Sequence, residues 1–159
     1  MNYWLIKSEA DCYSIDHLKK DRKAPWTGVR NYQARNFMRD NMKTGDLVLY
    51  YHSSAEPTGV YGVAKVASKA YPDPTQFVQG KGDEAMEYFD PKATKDKPIW
   101  YLVDMAYVET FKHPVSLTEI KFDPKLEGMV VRQKGSRLSI QPVSEKHFKY
   151  IKEVLARFK

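Results

Sequence analysis

Trp26-Thr27-Gly28-Val29-Arg30-Asn31-Tyr32-Gln33-Ala34-Arg35-Asn36-Phe37 crowds an aromatic, a turn glycine, polar side chains and a helix start into one short stretch. Gly28 permits backbone angles that most residues avoid, so Trp26 can be held at a bend rather than along an element. Asn31 is a good helix N-cap, because its side-chain oxygen accepts from a free N–H one turn in. Ala34, Phe37, Met38 and Asn41 then share one helical face, and Arg35 and Arg39 another. An aromatic beside the electropositive start of a helix is a place for an anion. The plainer reading makes Trp26 a core residue, since large aromatics dominate cores. The crowding of Arg30, Asn31 and Gln33 around it favours a site.

Other chemistries find little support. There is no Gly-x-Ser-x-Gly, hence no nucleophile elbow. Gly80-Lys81-Gly82 lacks the spacing of a phosphate-binding loop. His17, His52, His113 and His147 are scattered, and Cys12 with His17 supplies two groups where a metal needs more. His52 and Ser53 are neighbours on a strand, so they point to opposite faces and make no base–nucleophile pair. The expectation is a binding protein, not an enzyme, with no metal and no cofactor.

The elements that must position the central stretch are short. Tyr3-Trp4-Leu5-Ile6 reads as a buried first strand, followed by Lys7-Ser8-Glu9 at its mouth. Ser14 caps a short helix carrying Ile15 and Leu18. Lys19 to Lys23 reads as a solvated loop, with phosphate contact the less favoured use. The central helix ends near Asn41. Lys43-Thr44-Gly45-Asp46 turns into Leu47 to His52, an apolar run of strand length. Val60 to Val66 alternates as a second such strand, with Gly62 and Ala64 on one face suggesting close packing or a bend. Ser68 to Pro98 is proline-punctuated and charged, and reads as a long loop with helical pieces wrapping the outside. Trp100 to Phe111 is the longest strand candidate. Ser116-Leu117-Thr118-Glu119 is a capping box. Met129-Val130-Val131 reads as a small strand, and Arg132 to Arg137 as a basic turn. Leu138-Ser139-Ile140-Gln141 reads as a strand that Pro142 stops. Ser144 caps a last helix whose Phe148, Ile151, Leu155 and Phe158 form a core stripe. Many strands and few helices give a mainly-β, α+β fold: a small curved sheet or barrel with helices packed outside.

A length of 159 residues suits one domain with a real core. Lys and Arg outnumber Asp and Glu by 26 to 20, a net charge of +6, which alone is a weak hint of nucleic acid. The single cysteine, Cys12, excludes an internal disulfide, and no charged leader with an apolar core opens the chain. A soluble cytoplasmic monomer without membrane association is expected.

Lys7-Ser8-Glu9, the Trp26–Phe37 stretch, Gly45 to Ser53, Ala70-Tyr71-Pro72-Asp73-Pro74-Thr75 and Gly135 to Val143 together resemble the EVE domain family, in order and over nearly the whole chain. Ala10 departs from the pattern, since the family usually carries proline after Lys-Ser-Glu. The compact form resembles bacterial members. The resemblance implies one PUA-like domain over residues 1–159, a β-barrel with short helices around it, related to the YTH domains that read methylated adenine in RNA. It implies a pocket for a modified base, with modified cytosine in DNA the leading candidate, and no catalysis. An RNA-binding module acting on tRNA or rRNA, with or without an enzyme partner, is the alternative.

Roles follow from side-chain chemistry. Trp26 provides a flat apolar wall for a flipped base. Asn31, Ser8, Ser53, Ser139 and Gln141 are candidates to read its polar edge. For Ser8 and Ser139 a turn or cap role weighs about equally. Tyr51 and Leu138 would close the pocket, with His52 hydrogen-bonded beneath it. Lys7, Arg30, Arg35, Lys134 and Arg137 are candidates to hold phosphates, which position a strand without specifying its base; for Arg35, packing and solvation is the favoured use.

Overall fold

The run from Tyr3 to Ile6 and the run from Leu47 to His52 carry apolar side chains on both faces, so both belong inside a sheet covered on each side. The computed structural model, which describes residues 1–79 and 88–156, places them there. Its strands are Tyr3–Ser8 (β1), Lys23–Pro25 (β2), Leu47–His52 (β3), Gly59–Val66 (β4), Tyr71–Pro72 (β5), Tyr101–Leu102 (β6), Asp104–Ser116 (β7) and Ile140–Val143 (β8). Six of them form one mixed, curled sheet in the order β2-β7-β4-β3-β1-β8, and β5 pairs with β6 apart from it. β1 and β3 run parallel, with Tyr3 opposite Leu47 and Ser8 opposite His52. The other pairings are antiparallel.

The described residues hold four short α-helices: Ile15–Asp21 (α1), Tyr32–Asn36 (α2), Leu117–Phe122 (α3) and Glu145–Tyr150 (α4). α2 and α4 each run on into a π-helical turn, Phe37–Asn41 and Ile151–Leu155. α1 and α2 cover one face of the sheet, where Ile15, Leu18, Ala34 and Met38 meet Trp4, Ile6, Val48 and Tyr50. α3 and α4 cover the other, where Ile120, Phe148 and Ile151 meet Leu5, Leu49 and Tyr51. Gly62 lets β4 approach both β7 and α1, because a Cβ there would collide with the Glu109 carbonyl and press on Ile15. No helix among the described residues is long and apolar enough to cross a membrane.

Four expectations change. The Lys19–Lys23 run is not a loop: α1 extends to Asp21 and β2 begins at Lys23. Met129-Val130-Val131 is not a strand. Val130–Arg132 is a single 3-10 turn that tucks Val131 into the second core layer. Pro142 does not stop β8; it pairs opposite Trp4 at the sheet edge, where a missing N–H breaks no inner ladder. The 68–98 connection does not simply wrap the outside, because it buries Asp73 and Gln76. Gln76 donates to the Asp73 and Trp100 carbonyls and accepts from Ile99 N and Trp100 N, so its amide is fully used. Residues 80–87, including Gly80-Lys81-Gly82, and Phe158 lie outside the described residues.

Ile151 is fully buried, whereas Leu155 is only half-buried beside it. Ile151→Ala is therefore expected to destabilise by about 2–5 kcal/mol, and Leu155→Ala by less. Denaturant titration of the two variants measures the difference, and equal losses would contradict this packing of the last helix.

Candidate nucleic-acid interface

A cavity of about 710 Å³ opens on the α1/α2 side, where the two edges of the curled sheet come together. β2 and the loop after it contribute Ala24, Pro25, Trp26, Thr27, Gly28, Val29 and Arg30. The end of β1 and the turn after it contribute Lys7, Ser8, Glu9, Cys12 and Tyr13. Ser139, just before β8, closes the far side, and Asp21 and Tyr88 complete the wall.

Trp26 is half-buried, with the Tyr13 and Tyr50 rings edge-on to it at centroid distances of 6.2 and 5.7 Å. Its backbone N–H donates to the Val103 carbonyl (3.1 Å), which fixes the start of the loop. The chain then turns at Gly28, where φ is +85° and a Cβ would come within 2.7 Å of the Tyr88 ring. Both the left-handed backbone and the close approach demand glycine. The Tyr13 carbonyl accepts from Ser8 Oγ (2.6 Å) and from the Tyr50 hydroxyl (2.8 Å), tying the cavity floor to the core. Tyr13 in turn donates its hydroxyl to Asp21 (2.6 Å); burial and that carboxylate hold its pKa far above the usual phenol range.

The loop is anchored by Asp73, which is 1% exposed. One of its oxygens accepts from Gly28 N (2.9 Å) and Arg30 Nη1 (3.1 Å), and the other from the Thr75 backbone and hydroxyl. Arg30 makes five hydrogen bonds, to the Val29 carbonyl, Asp73, Thr75 and twice to the Tyr88 carbonyl. Every N–H of that guanidinium is engaged within the protein.

The predicted site residues divide sharply. Trp26, Ser8, Ser139, Lys7 and Arg30 line the cavity. Lys7 also donates to the Ser136 carbonyl (3.0 Å), and burial lowers its pKa. Asn31 does not line it; its side chain accepts from Ala34 N (2.9 Å) as the cap of α2. Tyr51 packs in the opposite core layer, because side chains alternate along β3 and Tyr50 takes the cavity side. Ser53 is exposed beyond the strand end, its N–H bonded to the Ser8 carbonyl. Gln141 is buried and donates to the Leu138 carbonyl, while Leu138 packs on the core. Arg35 stacks on Tyr32 and uses its nitrogens on Asn36 and the Ile99 carbonyl, away from the cavity. Lys134 and Arg137 are exposed.

His52 lies beneath the site. Its Nε2 accepts from Ile15 N (3.3 Å), so Nδ1 carries the hydrogen and faces the Ser8 carbonyl at 3.4 Å. Burial lowers its pKa. Tyr13, Glu9, Asp21, Tyr88 and Asp73 escape a reading of the sequence. Asp73-Pro74-Thr75 does carry a local signal, an aspartate capping a turn with proline at its first position, but nothing in it points to Gly28.

A curled mixed sheet with short helices on both faces and a cavity at its seam defines a PUA-like domain of α+β class. The chain belongs to the EVE domain family, whose model matches residues 2–154. It is 37% identical to mouse thymocyte nuclear protein 1 over 94% of this chain and 72% of that protein. The solved structure of human THYN1 in complex with 5-methylcytosine-containing DNA superposes with a TM-score of 0.88 at 34% identity, covering 100% of this chain and 99% of that one. A Pseudomonas syringae protein gives a TM-score of 0.87 at 43% identity, covering 97% and 99%.

Two outcomes follow from the anchoring. Asp73→Ala leaves Arg30 uncompensated and strips Gly28 N of its acceptor, so a loss of about 3–5 kcal/mol is expected; chemical denaturation measures it, and a loss below about 1 kcal/mol would contradict the role. His52 is held neutral in the fold, so the unfolded chain binds the extra proton. Its contribution is full above the unfolded pKa of about 6.5 and is lost as pH falls towards the lowered folded value. Melting temperature should therefore drop between about pH 7 and pH 5, with a shallower drop in His52→Gln.

Proposed function

We propose that this chain binds a modified cytosine, flipped out of DNA, in the cavity beside Trp26, with no chemical step. The observation that carries the reading is the half-buried indole on the wall of a cavity with room for a base, held edge-on by Tyr13 and Tyr50. Flipped bases are read by stacking on such a face and by hydrogen bonds to their edge. The carboxylates of Glu9 and Asp21 line the same cavity. A carboxylate accepts from the N4 amine of cytosine, whereas thymine offers an oxygen there. Ser8 and Ser139 add hydroxyls to the lining. The THYN1 complex with 5-methylcytosine-containing DNA, on a closely similar backbone, supports DNA as the partner. Lys134 and Arg137 are the phosphate-holding residues of this reading.

Stacking one base on an aromatic contributes about 1–3 kcal/mol. Trp26→Ala should therefore weaken binding of a 5-methylcytosine duplex about tenfold to a hundredfold, with Trp26→Phe retaining part of it. Asn31→Ala should cost about 1 kcal/mol of stability and leave selectivity intact, as befits a helix cap. Fluorescence titrations against matched modified and plain duplexes, with melting curves alongside, test this. A folded Trp26→Ala that binds as tightly and selectively as the wild type overturns the base pocket. Tighter binding of the matched RNA would move the reading to RNA.

A further inference from the structure

The cavity is built across the two edges of the sheet. β2 is the first strand of the order and supplies Ala24 and Pro25; Ser139 stands just before β8, the last. Each edge carries exposed cations beside the cavity. Arg22 and Lys23 sit between Asp21 and Ala24, both of which line it. Lys134 and Arg137 flank Ser136, whose carbonyl holds the Lys7 ammonium at the opposite wall. None of these four side chains makes a hydrogen bond or ion pair among the described residues. Arg30, by contrast, has spent all five of its N–H groups inside the protein, and Arg35 is bonded to Asn36 and Ile99.

Between the two banks the wall is balanced, with Glu9 and Asp21 set against Lys7 and Arg30, and Arg30 already pairs with Asp73. A phosphate is drawn to either rim, where the cations have no ion pair among the described residues, more than to that balanced interior. A nucleic-acid strand that crosses the seam therefore has its charges met on both sides and an uncharged base over the centre.

We propose that a bound strand crosses this seam, its phosphates held by Arg22 and Lys23 on one bank and by Lys134 and Arg137 on the other. The proposal rests on the base-binding reading for its direction of travel. It assigns the α1–β2 junction, whose two basic side chains make no hydrogen bond or ion pair among the described residues, to the interface. Arg22 has φ of 68°, a left-handed backbone that caps α1 through its N–H to the Leu18 carbonyl. That geometry fixes where the first bank begins.

The test is the salt dependence of binding to a short duplex carrying one 5-methylcytosine, and to its plain counterpart. The variants are Arg22→Asn with Lys23→Gln, Lys134→Gln with Arg137→Gln, and Arg35→Gln. Asparagine tolerates the left-handed backbone at position 22. Removing one cation that pairs with a phosphate should flatten the log–log slope by about 0.7–0.9, so both bank variants should flatten it while Arg35→Gln does not. The ratio of modified to plain affinity should stay unchanged in both bank variants, because phosphate pairing carries no base information. A wild-type slope in a folded Arg22→Asn/Lys23→Gln protein overturns the first bank. So does a flattening by Arg35→Gln as large as that of either bank variant. A wild type that binds both duplexes equally overturns the base pocket instead, and the slopes still decide the banks. No binding by the wild type overturns both.

Discussion

A buried carboxylate organises the site. Asp73 accepts from two donors on the Trp26–Arg30 loop and two on its own turn, and its partner Arg30 donates each of its own guanidinium N–H groups within the protein. Such a group is costly to bury alone and stable when fully bonded. Its position fixes Gly28, Gly28 permits the approach of Tyr88, and Arg30 grips the Tyr88 carbonyl in return. Gln76 closes the same connection against Ile99 and Trp100. The cavity wall is thus held by polar bonds between segments 45 residues apart, while its floor rests on the apolar core through Tyr50.

This division explains what arginine does here. Its planar fork suits bidentate recognition of anions, and Arg30 beside an aromatic invites that reading. The fork is instead turned inward, over the Tyr88 and Trp100 rings, with a protein carboxylate as its anion. A guanidinium in that state rigidifies a wall. Arg22, Lys23, Lys134 and Arg137, on the chain segments that frame the cavity, face solvent instead.

Much of the architecture was legible because local signals agreed with tertiary ones. Ser14, Asn31, Ser116 and Ser144 all cap the helices they were expected to cap. β1, β3 and β4 lie where apolar runs required strands. Legibility failed where a residue's role is set by its neighbours in space. Tyr50 and Tyr51 sit in an unbroken apolar run, so period-two alternation gives no phase, and only the sheet's two core layers decide which faces the cavity. Pro142 looks like a strand breaker until the edge position of β8 is known. Val130 and Val131 are β-branched, yet the turn they form pairs with no strand. That Trp26 and Ser8 stand at a cavity was readable from chemistry and spacing, whereas the place of Asp73 was not, because its partners come from the far side of three strands and a helix.

The edges of the sheet carry one further consequence. β2 ends in Pro25 and β8 contains Pro142, each without an N–H to offer. An open edge is a template on which another extended chain can add itself, the first step towards aggregation. Here both templates are incomplete: an incoming strand would find a missing donor on either side, and on β2 a lysine as well. The same two edges that frame the cavity are thus guarded against growth of the sheet.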